Sequence, residues 1–137
     1  MSVKVLAADS GADVRHLLEV RLRAAGYQVI LAASGDEAAQ LAESEQPDVV
    51  ICGARLPGVD GLTLTRRLKA SANPPLVILL TIMNRDQDIA AGFAAGADDY
   101  MLKPFSPLMV AERLRVNLIR TGRATITEPD EREAADE

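Results

Sequence analysis

Asp48-Val49-Val50-Ile51-Cys52 runs directly into Gly53-Ala54-Arg55-Leu56-Pro57-Gly58-Val59-Asp60-Gly61. The first five residues are too few for a helix, and Val49–Cys52 form a continuous apolar segment rather than a strict alternation. That is the pattern of a strand covered on both faces of a parallel sheet. Glycine and proline then interrupt the chain at positions 53, 57, 58 and 61, and Leu62–Ala70 resumes with helical spacing. A short apolar strand, a turn-rich loop and a helix in that order make one βα unit.

The unit repeats on either side. Strands are expected at Val3–Ala8, Gln28–Ala32, Asp48–Cys52, Leu76–Thr81 and Asp98–Leu102, and helices at Ala12–Ala25, Asp36–Ser44, Leu62–Ala70, Asp86–Ala95 and Ser106–Arg120. On the first helix Val14, Leu18, Leu22 and Ala25 fall on one stripe. Gly26 and Gly96 sit where helix C-caps belong, Ser34 or Gly35 opens the second helix, and Pro47 and Pro74-Pro75 precede strands. Five such units predict a three-layer (βα)5 α/β domain, a doubly wound parallel sheet whose helices close right-handed crossovers. Ligands of such sheets gather beyond the carboxyl ends of the strands. The loops that matter are therefore Asp9–Asp13, Gly53–Gly61, Thr81–Asp86 and Lys103–Ser106.

The chain has 137 residues, enough for one domain at roughly 100–200 residues each. Aromatic residues are 3% of it and tryptophan is missing, while alanine occurs 22 times, so the core must be built from Val, Leu, Ile and Ala. The net charge of −5 argues against a broad phosphate-backbone footprint, and no direct nucleic-acid contact is expected. Most of that charge lies in residues 121–137, where six acidic residues face Arg123 and Arg132. This composition predicts one folded domain over 1–120 and an acidic flexible tail or linker over 121–137, with an extension of the last helix as the lesser alternative. Cys52 is a lone cysteine, no opening segment has the makeup of a signal peptide, and no apolar run is long enough for a bilayer. A cytoplasmic protein without membrane contact is the expectation.

Five ordered motifs carry a resemblance. They are Val5-Leu6-Ala7-Ala8-Asp9 with Val14-Arg15, Leu56-Pro57-Gly58-Val59-Asp60-Gly61, Val77-Ile78-Leu79-Leu80-Thr81, Ala95-Gly96-Ala97-Asp98-Asp99-Tyr100, and Lys103-Pro104-Phe105. Together, over about residues 3–120, they resemble the receiver domain of two-component response regulators. The resemblance implies a flavodoxin-like strand order 2-1-3-4-5. It also implies a site in which two acids after the first strand and a phospho-accepting aspartate after the third hold Mg²⁺, while a hydroxyl and a lysine contact the phosphoryl group.

Carried over position by position, the acid pair is Asp9 and Ser10, the hydroxyl is Thr81, the lysine is Lys103 and the acceptor position is Gly53. Glycine has no nucleophile, and serine has replaced one of the metal-binding acids. Ile82 stands where the family keeps a small residue, which is expected to narrow access. Mg²⁺ binding is therefore expected to be weak or absent, with no other cofactor. Arg55 lies where the family offers a main-chain carbonyl to the metal, and its side chain either extends into solvent or folds into the vacated pocket.

Bland roles stand beside these. Asp9 either caps the first helix or pairs with Lys103, and Thr81 serves as a backbone-bonding hydroxyl. Gly53 permits close approach or an unusual φ. Cys52 is a small core residue, and His16 is a solvated helix residue. Tyr100 falls at the family's switch aromatic and is either fixed or moved by a partner.

The expected function is that of a degenerate receiver in bacterial phosphorelay signalling, not an enzyme. It would act by contact with a signalling protein or a second copy through the fourth helix, fifth strand and fifth helix. A receiver phosphorylated at Asp9, Ser10 or Asp60, or a flavodoxin-like carrier of a small molecule such as flavin or corrin, are the alternatives.

Overall fold

A computed structural model describes residues 2–123. Five strands, β1 (Lys4–Ala8), β2 (Gln28–Ala32), β3 (Val49–Cys52), β4 (Leu76–Thr81) and β5 (Asp99–Leu102), alternate with five helices, α1 (Ala12–Ala24), α2 (Gly35–Glu45), α3 (Gly61–Lys69), α4 (Asp86–Ala94) and α5 (Pro107–Arg120). All strand pairs are parallel and the order is β2-β1-β3-β4-β5, the flavodoxin-like arrangement.

The side-chain period of two divides the core between the faces of the sheet. Val5 and Ala7 of β1, with Ile78 and Leu80 of β4, meet Leu18 and Leu22 of α1 and Val110, Leu114 and Leu118 of α5. Leu6, Ala8, Val77 and Leu79 point the other way, onto Ala38 and Ala42 of α2 and Leu64 and Leu68 of α3. The alanines on α2 allow the close spacing that a core poor in aromatics requires. On the same face α4 buries Gly92 alone, where an added Cβ would lie 2.8 Å from the Tyr100 ring.

Several boundaries differ from the sequence reading by a residue, and side chains explain two of them. Asp48 and Asp98 precede the strands they were expected to begin and act as receptors at their edges. Asp48 Oδ2 accepts from the Lys4 amide at 2.9 Å, and Asp98 Oδ2 accepts from the Val77 amide at 2.9 Å and Lys69 Nζ at 2.8 Å. Ala25 is the C-cap of α1 and is exposed, so the buried stripe ends at Leu22. Ser34 opens α2, its side chain accepting from the Glu37 amide. Gly26 and Gly96 have φ of +96° and +109°, the left-handed geometry that ends α1 and α4. Of the acidic segment expected over 121–137, only residues 121–123 lie among those described, and Thr121 is the C-cap of α5.

Candidate functional site

The carboxyl ends of β1, β3, β4 and β5 bring Asp9, Gly53, Thr81 and Lys103 to one edge of the sheet. The ladder continues just past the strands to hold them. The Asp9 amide donates to the Ala32 carbonyl, Gly53 to Ala8, and Lys103 to Thr81, at 3.1, 2.9 and 2.9 Å.

Asp9 is 3% exposed and both of its carboxylate oxygens are occupied. Oδ1 accepts from the Gly11 amide at 2.9 Å, and Oδ2 accepts from Lys103 Nζ at 2.7 Å. The helix-cap role expected for Asp9 is not what the structure has. Gly11 is the N-cap of α1 and no side chain caps it, because Asp9 lies two residues too early and folds its carboxylate onto the turn before the helix. The pairing with Lys103 is present, and Arg15 Nη1 further fixes this loop by donating to the Asp9 carbonyl at 2.7 Å.

Gly53 does not have the positive φ that would demand glycine. Its backbone suits any L-residue, so the unusual-φ reading does not apply. A Cβ built there would lie 3.1 Å from Asp9 Oδ2 and 3.7 Å from the Leu80 carbonyl oxygen, on the side of the Asp9–Lys103 ion pair. Gly61 is different. A Cβ on it would come within 2.2 Å of the Gly53 carbonyl oxygen, so only glycine lets the start of α3 sit against the loop after β3. The Gly61 amide closes that contact by donating to Ala54 O at 2.8 Å.

Thr81 is buried, and its Oγ1 accepts from the Met83 amide at 3.2 Å, a backbone-bonding role. Ser10 is exposed. Ile82 is 65% exposed. Arg55 is also exposed and, with Ile82, Met83 and Arg85, lines a shallow depression of about 340 Å³. Cys52 is fully buried, and that burial pushes its thiol up to about 12, while His16 is exposed.

Tyr100 lies on β5 facing α4. Its hydroxyl donates to the Met83 carbonyl at 2.6 Å and its ring centroid is 6.2 Å from that of Phe93, in a tilted pair. Loss of hydration raises its phenol above the ordinary value, and the Asp88 carboxylate adds to the rise. The hydroxyl thus ties the switch-position aromatic to the loop after β4, two residues beyond Thr81.

Three roles escaped the sequence reading. Asp60 is the N-cap of α3, its Oδ1 accepting from the Thr63 amide at 2.8 Å, and Asp-Gly before a helix was the available signal. Asp99 is buried and accepts from Arg113 Nε at 3.0 Å and Nη2 at 2.6 Å and from Asn117 Nδ2 at 2.9 Å, which locks β5 to α5. Phe93 covers Tyr100 from α4. No local pattern announced these last two, because their partners lie across loops.

Comparison with known proteins matches the response regulator receiver domain over residues 5–115. The chain belongs to this family. It is 40% identical over 124 residues to a probable transcriptional regulator, ycf27, of Guillardia theta, an alignment covering 90% of this chain and 48% of that protein. It is 36% identical over 121 residues to the alkaline phosphatase synthesis transcriptional regulatory protein PhoP of Bacillus subtilis, covering 88% of this chain and 50% of that one. The chain spans about half the length of these relatives. Among solved structures, a putative response regulator of Chloroflexus aurantiacus superposes with a TM-score of 0.82 at 38% identity, covering 88% of this receiver and 100% of that chain. The chemotaxis response regulator CheY4 of Vibrio cholerae superposes at 0.81 with 28% identity, covering 86% and 100%. The chain is thus a receiver of two-component signalling, a class that works through signalling partners. Among the described residues no helix of this receiver is long and apolar enough to cross a membrane.

Proposed function

We propose that this receiver does not take a phosphoryl group after β3 and works as an interaction or dimerisation module. The observation that carries the reading is Gly53. Its backbone would accept an L-residue, a Cβ there would point beside Asp9, and the residue that would aim a nucleophile there has no side chain. Nothing about the main chain demands the glycine, so what position 53 lacks is the chemistry.

The donor set does not suit Mg²⁺. Asp9, the carboxylate beside Gly53, is already paired with Lys103, Ser10 offers a neutral hydroxyl, and Gly53 offers nothing. Among the described residues no group of three or more His, Cys, Asp or Glu is placed to hold a metal ion. The substitute acceptors are less favoured. Asp9 is buried in its pair, and Asp60 is engaged in capping α3.

The contact surface in this reading is the face formed by α4, β5 and α5. Phe93, Leu102 and Met109 are each more than 40% exposed there, and Tyr100 lies beside Phe93. Exposed apolar side chains on three adjoining elements suit a protein partner. Without an acyl phosphate, any shift between two states of this face must come from differential contact with that partner or a second copy.

The test is incubation of the full chain with acetyl phosphate and Mg²⁺, followed by intact mass and sedimentation. Unchanged mass, together with an association that Phe93→Asp or Leu102→Asp abolishes, is expected. A stoichiometric phosphoryl adduct would overturn the reading.

A further inference from the structure

Helix α1 turns Leu18 and Leu22 into the core and presents a second, outward pattern to solvent. Two rows of residues spaced four apart run along that outer side. Asp13, Leu17 and Arg21 form one, and His16, Val20 and Ala24 form the other. All six are exposed, Leu17 by 47% and Val20 by 55%. Rows at this spacing are the ridges by which helices pack on one another, and the channel between two of them receives a ridge of the partner.

The charges on the first row are not paired within the chain. Asp13 Oδ1 accepts from the Val14 amide at 2.9 Å, and neither Asp13 nor Arg21 forms an ion pair among the described residues. They stand eight positions apart, beyond the spacing of three or four at which side chains of one helix meet. The other arginines of α1 are engaged, Arg23 by Glu19 at 3.2 Å and Arg15 by the Asp9 carbonyl at 2.7 Å. The helix dipole favours an acid at the start and a base at the end. It gives no reason for a leucine and a valine exposed between them.

We propose that this ridge packs against the same ridge of a second copy, the two α1 helices running antiparallel about a two-fold axis at Leu17. Asp13 and Arg21 stand four residues before and four residues after Leu17. An antiparallel copy therefore sets Leu17 against the partner's Leu17 and each Asp13 opposite the partner's Arg21. One symmetric contact forms two ion pairs and covers Leu17 and Val20. That self-complementarity is what an isologous interface requires, and it selects a second copy over a foreign helix. The 13 residues of α1 make a helix about 20 Å long, and a single helix pair lies at the small end of interface sizes. The contact is too weak to hold a dimer in dilute solution. It fills at millimolar concentration, or between chains already brought together by the face of α4, β5 and α5.

The experiment records amide spectra of the full chain carrying Leu102→Asp, which silences that other face, from micromolar to millimolar concentration. Shifts that grow with concentration at Asp13, Leu17, Val20, Arg21 and Ala24 are expected, with Val5 and Gly53 constant. Asp13→Arg or Arg21→Asp, each added to that chain, should abolish them, because either change places like charges opposite one another. An equimolar mixture of those two variants should restore them, since every facing pair is then opposite in sign. Spectra independent of concentration would overturn the proposal, as would single variants that shift like the parent or a mixture that stays silent. Because Leu102→Asp removes the contact through α4, β5 and α5 beforehand, this proposal and the reading of that face fail separately.

Discussion

Lys103 Nζ and Asp9 Oδ2 lie 2.7 Å apart although 94 positions separate them in the chain. The pair joins the end of β1 to the end of β5 across the central strands, beside Gly53. Asp9 is nearly inaccessible, whereas the Lys103 side chain keeps 24% exposure.

Lys103→Met should therefore destabilise the fold by about 2 kcal/mol, less than for a fully buried pair because solvent reaches the lysine. Asp9→Asn should cost less, since it retains an acceptor for the Gly11 amide and leaves the more exposed partner unpaired. The double variant should regain part of the loss. Urea unfolding of the four proteins measures the coupling, and strictly additive effects would contradict the account.

Arg113→Ala should cost about 2 kcal/mol, because it leaves the buried Asp99 carboxylate with Asn117 as its remaining side-chain donor. Part of α5 should loosen from β5 as a result. Hydrogen exchange over Asp99–Leu102 reads this directly, and unchanged protection would count against the lock.

Asp60→Ala should cost about 1 kcal/mol through loss of the α3 cap. The Thr63 amide holds the Asp60 carboxyl below the ordinary 3.8, so the folded state binds this proton less readily than the unfolded chain does. The cap's contribution is present above the unfolded value and is lost as pH falls through the folded one. Acid titration of stability should therefore be shallower in Asp60→Ala than in wild type.

Both tyrosines should titrate above the ordinary 10.0, each chiefly because it has lost hydration. For Tyr100 the folded state retains the proton longer than the unfolded chain, so stability declines as pH rises from the unfolded value toward the folded one. Tyr100→Phe should lower stability by about 1 kcal/mol through the lost bond to Met83 O and should leave a single phenolate transition, that of Tyr27. Ultraviolet absorbance against pH separates the two, and a transition at or below 10.0 in either would contradict this picture.

The layered α/β plan was legible because β3 and β4 are continuous apolar runs and the helices between them carry regular stripes. The strand starts were less so. Asp48 and Asp98 resemble first strand residues by position, yet their carboxylates reach sideways to neighbouring amides, and a one-dimensional reading has no access to sideways partners. The same limit explains Asp9. Its position after a strand fits a cap, and only the distance to Gly11 and Lys103 decides otherwise. Gly53 was legible as a residue without a nucleophile, whereas the ordinary backbone geometry that leaves its Cβ direction usable required coordinates. Asp99, Arg113 and Asn117 were invisible because their association depends on how α5 docks.

The central claim is that the site beside Gly53 does not receive a phosphoryl group. Beryllofluoride with Mg²⁺, tracked through the amide signals of Gly53, Thr81, Tyr100 and Lys103, tests it most directly. Spectra unchanged from those without the reagents are expected. Saturable shifts at Gly53 and Thr81 that propagate to Tyr100 would contradict it.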